Sequence, residues 1–258
     1  MLFFFNLVCL FTTRNPLRNP LELLKSRGKN VAVQSVKSLY SLIVRASNHE
    51  KPLLIYCFNI LPLYLMLSLR YILARRVMFV SGLIIFFGIH LVPFFPKTKN
   101  ALHSRMGENP YMGTFSLISL IGLLMIIFGY ERAIDNLYPI YSHAYAYSEY
   151  VMFVSLTFLV AAYLPTHLKK ITKHPMSIGI GIWALLHLAV NPDMISVILF
   201  GAFLAYSILD ILVAEFKKEE KKLHEAKILY DVLSAVVAVL ITSLAYNYHE
   251  YLSGVPLG

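Results

Sequence analysis

Apolar stretches long enough to cross a membrane recur along this chain and restrict what it can fold into. Six follow one another towards the carboxyl end, at 78–96, 112–130, 149–165, 176–191, 194–214 and 229–248. A membrane-spanning helix needs about 20 mostly apolar residues, and these segments lie near or within the accepted range. Charged residues make up 14% of the sequence, against about a quarter in soluble domains. The sequence therefore predicts an all-α, polytopic transmembrane helix bundle with six core helices.

The first 77 residues fit this pattern less well. A seventh candidate span at 53–73 is interrupted by Pro62 and contains Arg70. Residues 1–12 are apolar but too short to span, and basic residues follow them, which is the reverse of a signal peptide. We therefore divide the chain into a basic amino-terminal extension, 1–77, with a candidate extra helix, and a transmembrane domain, 78–258.

Basic residues cluster in alternate loops, which predicts the orientation of the core. The alternate loops on the other side are slightly acidic, so the lysine-rich loops are predicted to face the cytoplasm of a multi-pass protein. Because the basic residues form short runs between apolar segments, they indicate topology rather than nucleic-acid binding. The three basic loops contain Lys97, Lys99 and Arg105, then Lys169, Lys170 and Lys173, then Lys217, Lys218, Lys221, Lys222 and Lys227.

Two histidines, His90 and His187, fall well inside the predicted spans. At a rise of 1.5 Å per residue, they lie about 10 Å and about 18 Å from the lysine side. His174 opens the same helix as His187, about 20 Å away along its axis, so the two cannot ligate one metal from a straight helix. Ionisable groups inside a membrane are costly and usually functional.

Two interpretations of these histidines stay open from the residues alone. One is a structural imidazole that hydrogen-bonds a backbone carbonyl or a hydroxyl such as Ser116, Ser119 or Ser155. The other is axial ligation of a haem iron. Trp183 lies on the same helical face as His187, where it either packs against neighbouring helices or stacks on a macrocycle.

Other chemistries lack their motifs. The sequence has no P-loop, no GxSxG and no HExxH, and no two carboxylates pair within the predicted spans, which excludes common hydrolases and ATPases. Cys9 and Cys57 are the only cysteines and form no CxxC pair. Tyrosines 111, 138, 141, 145, 147 and 150 are typical of an interfacial belt. Asp210 is expected to snorkel or to pair with a lysine. The fourth and fifth segments are joined only by residues 191–193, so we expect a tight helical hairpin with Asn191 and Asp193 shaping its turn, and we expect breaks at Pro93 and Pro96.

The motifs from residue 78 onwards resemble those of the NnrU family, in order and over the whole segment. They are FGIHLVP (87–93), MGENPYMG (106–113), SLISL (116–120), AAYLP (161–165), KHPM (173–176), WALLHL (183–188), LFG (199–201) and HEYLSGVP (249–256). The resemblance implies a bacterial inner-membrane protein linked to nitrite and nitric oxide metabolism in denitrification. It also implies a relation to the zeta-carotene isomerase, whose haem b serves cis–trans isomerisation.

By this resemblance, His90 corresponds to the family's first histidine, and His174 and His187 to its later pair. We expect a haem b site with His90 and His187 as the metal ligands, His174 as the substitute for His187, and Trp183 beside the cofactor. The expected partners are the lipid bilayer and either an apolar small molecule or a redox partner.

A second resemblance supports a different function. Isoprenylcysteine and phospholipid methyltransferases also have a basic-His-Pro motif opening a membrane helix and a later Glu-Glu-x-x-Leu, matched here by His174-Pro175 and by Glu219-Glu220 with Leu223. The continuation after Leu223 departs from that group. The open alternatives are a haem enzyme, a non-enzymatic accessory or sensor protein, and an S-adenosylmethionine-dependent methyltransferase.

The resemblance begins at Met78, which suggests that translation begins there in the native protein. We expect mass spectrometry of the native amino terminus to find Met78 first. Peptides from residues 14–70 in the mature protein would contradict this.

Overall fold

Helices make up most of the chain that the structure describes. The computed structural model describes residues 51–133, 135–217 and 225–253. Among them only an isolated bridge between Asn136 and Asp193 has β character. In chain order the α-helices are α1 Lys51–Leu91, α2 Pro96–Met106, α3 Glu108–Gly129, α4 Ser142–Ala146, α5 Ser148–Ala161, α6 His167–Thr172, α7 Pro175–Val190, α8 Met194–Phe216 and α9 Ile228–Ser253.

The predicted membrane-helical fold is confirmed. Four helical segments of the described chain are long and apolar enough to cross a bilayer: Met66–Phe94, Glu108–Gly129, Met194–Phe216 and Ile228–His249. Two shorter apolar helices, α5 and α7, coincide with the third and fourth predicted segments. The chain is thus a multi-pass membrane protein, and six as the number of core helices stays a prediction.

The first helix differs from the sequence interpretation, which separated a candidate at 53–73 from a span at 78–96. Helix α1 runs without a break through both regions for 41 residues, a length of about 60 Å. The intervening residues Ala74, Arg75 and Arg76 are good helix formers. Arg75 is also held at the end of α3, where its Nη2 donates to the carbonyl of Tyr130 at 2.8 Å.

Prolines end α1 where the sequence predicts a break. A 3-10 turn, Val92–Phe94, follows the helix, and Phe95 is extended at φ −107° and ψ 90°. Pro96 then opens α2, a position where the missing proline N–H is tolerated because the helix would leave it unbonded. Helix α2 is short and basic, and it leads into α3 through Gly107.

The chain divides into two compact units, between residues 134 and 135. In the amino-terminal unit, α1 packs along α3 through glycines that bring the two backbones close together. A Cβ built at Gly122 would lie 2.7 Å from the Phe86 nitrogen, and one at Gly129 would lie 2.4 Å from the Phe79 nitrogen. Small residues permit such approach between membrane helices, whose association depends on close packing.

In the carboxy-terminal unit, α7 packs against both α5 and α8, and α9 packs against α5. The Ser155 hydroxyl on α5 donates to the Gly179 carbonyl on α7 at 2.8 Å. Helices α7 and α8 form the tight hairpin predicted from the short connection 191–193. Asp193 caps α8 by accepting from the Ser196 backbone N–H at 3.1 Å, which confirms its predicted role in the turn.

Two of the predicted basic loops lie at the same end of the carboxy-terminal unit, which we name the lysine end. In the loop before α9, the Lys227 N–H donates a hydrogen bond to the Pro165 carbonyl at 3.1 Å. Asp231 on α9 accepts from the His167 N–H at 2.8 Å and contacts the His167 Nδ1 at 2.6 Å. The loops 162–174 and 225–227 are therefore in contact, in agreement with the prediction from the alternating loop charges that the basic loops lie on one side.

The glycine contacts yield a paired test on helix α3. Gly122→Ala places a methyl group against the α1 backbone, and we expect it to destabilise the protein by about 1–3 kcal/mol through overpacking. Gly113→Ala has no neighbouring atom within 4 Å of the new Cβ, so the gain in helix propensity of up to about 1 kcal/mol should leave stability unchanged or raised. Unfolding midpoints in one detergent would compare them, and equal effects would argue against the α1–α3 packing.

Candidate functional site

His90 lies in the last turn of α1 with its imidazole held by its own helix. Its Nδ1 lies 2.6 Å from the Phe86 carbonyl, one turn earlier. A carbonyl can only accept, so Nδ1 carries the proton and Nε2 the lone pair in the neutral ring. The rings of Phe86 and Phe115 pack on the imidazole at centroid distances of 4.2 Å and 5.2 Å.

His187 occupies an equivalent arrangement in the last turn of α7. Its Nδ1 lies 2.8 Å from the Trp183 carbonyl, again one turn earlier, so Nε2 again carries the lone pair in the neutral ring. An aromatic residue precedes each histidine by four positions, supplies that carbonyl and packs on the imidazole. The local geometry of the two predicted ligands is therefore the same, although His90 and His187 belong to different units.

Trp183 packs as part of an aromatic cluster between α7 and α8. Its ring centroid lies 4.8 Å from that of His187, 5.1 Å from Phe200 and 5.3 Å from Phe203. Phe200 also lies 4.6 Å from the His187 ring at an interplanar angle of 33°. The predicted contact of Trp183 with His187 is present, and aromatic side chains line one side of the imidazole.

His174 has different surroundings from the other two histidines. It is the residue before α7, is 7% exposed, and its Nε2 lies 3.3 Å from the Glu215 Oε1 on α8. His174 and His187 thus lie at opposite ends of α7, as predicted. A carboxylate already engages the nitrogen that His174 would offer to a metal.

Sequence reasoning missed two interactions between helices of the carboxy-terminal unit. His249 on α9 lies close enough to His187 for the two to interact electrostatically. Asp210 on α8 accepts a hydrogen bond from the Ser177 hydroxyl on α7. Asp210 was expected to snorkel or to pair with a lysine, and among the described residues its carboxylate accepts from Ser177 and forms no ion pair with a lysine. Spacing along one helix gives no signal for either contact, since each joins two helices.

The tyrosines predicted to form one belt divide into two groups. Tyr138, Tyr141, Tyr147 and Tyr150 are exposed, as an interfacial belt requires. Tyr111 is 5% exposed, and its ring packs on His103 at 4.2 Å. Tyr111 is therefore a packing residue of the amino-terminal unit, and the prediction for it is wrong.

A strap, residues 135–141, crosses the end of the α7–α8 hairpin near His187. The Leu137 N–H donates to the Pro192 carbonyl at 2.9 Å, and the Tyr141 N–H to the Ala189 carbonyl at 3.2 Å. The Tyr138 hydroxyl donates to the Leu188 carbonyl. The last carbonyls of a helix lack hydrogen-bond donors within that helix. The strap supplies such donors to the last carbonyls of α7.

The described residues include no group of three or more His, Cys, Asp or Glu side chains placed to hold a metal ion. Protein-only metal sites usually need at least three such ligands. A porphyrin provides four nitrogen ligands itself, so one or two histidines suffice for haem. Each of His90 and His187, considered within its own unit, offers one imidazole nitrogen, which is a donor type that haem iron accepts.

The family model of the NnrU protein matches residues 78–257. The chain belongs to the NnrU family. The NnrU match covers both units from Met78 onwards and includes His90, His174, Trp183 and His187, which confirms the resemblance drawn from the motifs. No curated protein and no solved structure matches the chain.

The strap generates a prediction at Tyr138. Tyr138→Phe removes the bond to the Leu188 carbonyl, worth about 1 kcal/mol, and should speed hydrogen exchange of the Leu137 and Tyr141 amides about fivefold. Tyr150→Phe, whose ring is 68% exposed, serves as the control and should leave both amides unchanged. Unaltered exchange in Tyr138→Phe would show that the hydroxyl does not hold the strap.

The same bond has a pH dependence. Burial, and then the charge of Asp193, raise the pKa of Tyr138. Because this pKa is raised in the folded protein, the stabilisation of the strap by the Tyr138 hydroxyl bond is complete below the ordinary tyrosine pKa of about 10. The stabilisation is lost as the pH rises through the raised pKa. The protection of the Tyr141 amide, meaning its exchange rate relative to an unfolded peptide at the same pH, should therefore stay constant until the pH exceeds that ordinary value.

Proposed function

We propose that this NnrU-family membrane protein binds haem b through His90 and His187. The observation that carries the proposal is the shared arrangement of the two imidazoles, each with Nδ1 fixed on the carbonyl four residues earlier. Metal-ligating histidines almost always donate their other ring N–H to a carbonyl, a carboxylate or water, because this fixes the tautomer and raises the basicity of the ligating nitrogen.

The surroundings of both residues favour a neutral ligand. Burying a charge in an apolar medium is expensive, whereas a neutral imidazole with its N–H bonded avoids most of that cost. Phe86 and Phe115 beside His90, and Trp183 and Phe200 beside His187, exclude water from the rings. These side chains would orient the imidazoles and keep them unprotonated.

His187, rather than His174, is the ligand of α7 in this proposal. Glu215 engages the Nε2 of His174 at 3.3 Å, whereas the Trp183 carbonyl engages only the Nδ1 of His187. The bond to Glu215 would have to break before His174 could ligate iron.

Bound haem would supply a redox-active iron, whose potential responds to its axial ligands and to burial. The family resemblance connects this chemistry with nitrite and nitric oxide metabolism in denitrification, and we propose that process as the setting. The chain's own part is to present two neutral imidazoles in a dry, apolar environment within a bacterial inner membrane, lysine-rich loops towards the cytoplasm. A redox partner or an apolar small molecule would complete the function.

The methyltransferase alternative depends on His174 together with Glu219 and Leu223. Glu219 and Leu223 lie outside the described residues, and the His174 that this alternative needs contacts Glu215 of α8 at 3.3 Å. The haem proposal therefore accounts for more of the described chain.

Absorbance spectroscopy of the full-length protein, supplemented with haem b, tests the proposal. We expect a Soret band that is shifted or weakened by His90→Ala and by His187→Ala, and restored by added imidazole, which can occupy the vacated position. His143→Ala, outside the helical spans, is the matched control. His174→Ala should also leave the band unchanged.

Two results would count against the proposal in different ways. A wild-type protein without a Soret band after supplementation would exclude haem binding. A band unchanged in both His90→Ala and His187→Ala would mean that other residues ligate the iron. Circular dichroism of each variant would show whether a lost band reflects lost helix rather than a lost ligand.

A further inference from the structure

Helices α7 and α8 carry a second set of functional groups, at the lysine end and away from the proposed haem ligands. The set consists of Glu215, His174, Ser177, Asp210 and Tyr206, which we name the polar file. Its members are not part of the haem proposal.

Asp210 is the member that most needs an explanation. It lies six residues before the end of the span Met194–Phe216, about 9 Å from that end. Its carboxylate accepts from the hydroxyl of Ser177, which is 7% exposed. Within the described chain, no lysine or arginine forms an ion pair with Asp210. Carboxylates inside a membrane are rare, and they mark ion pathways and proton relays.

Groups able to exchange protons continue from Asp210 to the exposed end of the hairpin. His174 is one turn before Ser177 on α7, is 7% exposed, and contacts Glu215 at 3.3 Å. The side chain of Glu215 is 54% exposed and also lies 3.8 Å from the Lys173 Nζ. The file thus begins at an exposed carboxylate and passes through a buried imidazole towards Asp210.

Tyr206 extends the file inward. It precedes Asp210 by four residues on α8, so the two side chains share a helical face, and they interact electrostatically. Beyond this level α7 and α8 lie close together: a Cβ built on Gly181 would lie 3.7 Å from the Ser207 Cβ, and the ring centroids of Trp183 and Phe203 lie 5.3 Å apart. The titratable groups of the file therefore lie towards the lysine end of the hairpin.

A purely structural explanation is available and makes a different prediction. Ser177 is the third residue of α7, and an anion near a helix amino terminus is stabilised by the helix dipole. A carboxylate held for that purpose is stabilised in its ionised form, and its proton exchange with water requires neither His174 nor Glu215. A carboxylate that serves in proton exchange alternates between its ionised and neutral forms, with the neutral form relieving the cost of a buried charge.

We propose that Asp210, with Ser177, forms a proton-binding site inside the membrane that exchanges protons with the lysine end through His174 and Glu215. Uptake adds one proton to an Asp210 carboxylate oxygen and removes one negative charge, while the Ser177 hydroxyl continues to donate to the carboxyl group. Release reverses the step. The charged and titratable groups nearest the site are His174 from α7, Tyr206 and Glu215 from α8, and Lys173 from the preceding loop.

This site would supply protons from one side of the membrane to the chemistry of the carboxy-terminal unit. It does not depend on haem, because the polar file involves neither His90 nor His187. A haem-free preparation therefore suffices to test it, and its failure would leave the haem proposal intact.

Infrared spectroscopy of the full-length, haem-free protein in lipid nanodiscs tests the site. Lowering the pH protonates many carboxylates, so the Asp210 band is taken from the difference between the wild-type and Asp210→Asn spectra, where we expect the C=O stretching band of one neutral carboxylic acid. Asp210→Glu should retain it at a shifted frequency, which separates loss of the site from misfolding. Asp231→Asn, a carboxylate at the same end that binds His167 instead, is the control and should keep the band.

The route is tested by exchange into deuterated water. Glu215→Gln and His174→Gln should each slow the deuterium shift of the Asp210 band about tenfold, equivalent to ~1.4 kcal/mol in the barrier. A folded wild type without the band at any pH would overturn the proposal in favour of the structural explanation. Exchange that is unaffected by both substitutions would overturn it as well.

Discussion

The absence of water around the spanning helices determines how this protein uses its polar side chains. A polar group in lipid must find its partner within the protein, and here the usual partner is a carbonyl of the same helix. Thr157 and Ser207 donate to carbonyls four residues earlier at 2.8 Å and 2.9 Å, and His90 and His187 do the same through Nδ1. A hydrogen bond within one helix needs no neighbouring helix. Each helix can therefore satisfy these polar side chains before it packs.

Few polar contacts then remain to hold helices together, and close packing takes their place. The α1–α3 pair depends on Gly122 and Gly129, where any added Cβ would collide with backbone. Two of the polar contacts between helices are informative: Ser155 bonds Gly179 across α5 and α7, and Ser177 bonds Asp210 across α7 and α8. The first contact is a hydroxyl beside a glycine, which suits packing. The second involves an ionisable group, which packing does not require.

Sequence reasoning succeeds here for features that depend only on length or spacing along the chain. Apolar length predicts the spanning helices, and the three-residue connection at 191–193 predicts the α7–α8 hairpin. The spacing of four residues places Trp183 against His187. It fails where two helices meet, since neither the Ser177–Asp210 bond nor the burial of Tyr111 against His103 follows from spacing along one helix. The continuity of α1 was missed because Pro62 and Arg70 weakened the candidate at 53–73, and the sequence does not show that the end of α3 provides a carbonyl for Arg75.

The two ends of α7 have opposite chemical characters, and this difference links the two proposals. At the lysine end, His174 contacts a carboxylate that is 54% exposed, so protons and charge are available there. At the other end, His187 is surrounded by Trp183 and Phe200, and the strap bonds the nearby carbonyls. The same residue type therefore contacts a carboxylate at one end of α7 and aromatic rings at the other. One helix could in this way keep an iron ligand unprotonated while protons approach from its opposite end, with Asp210 between them.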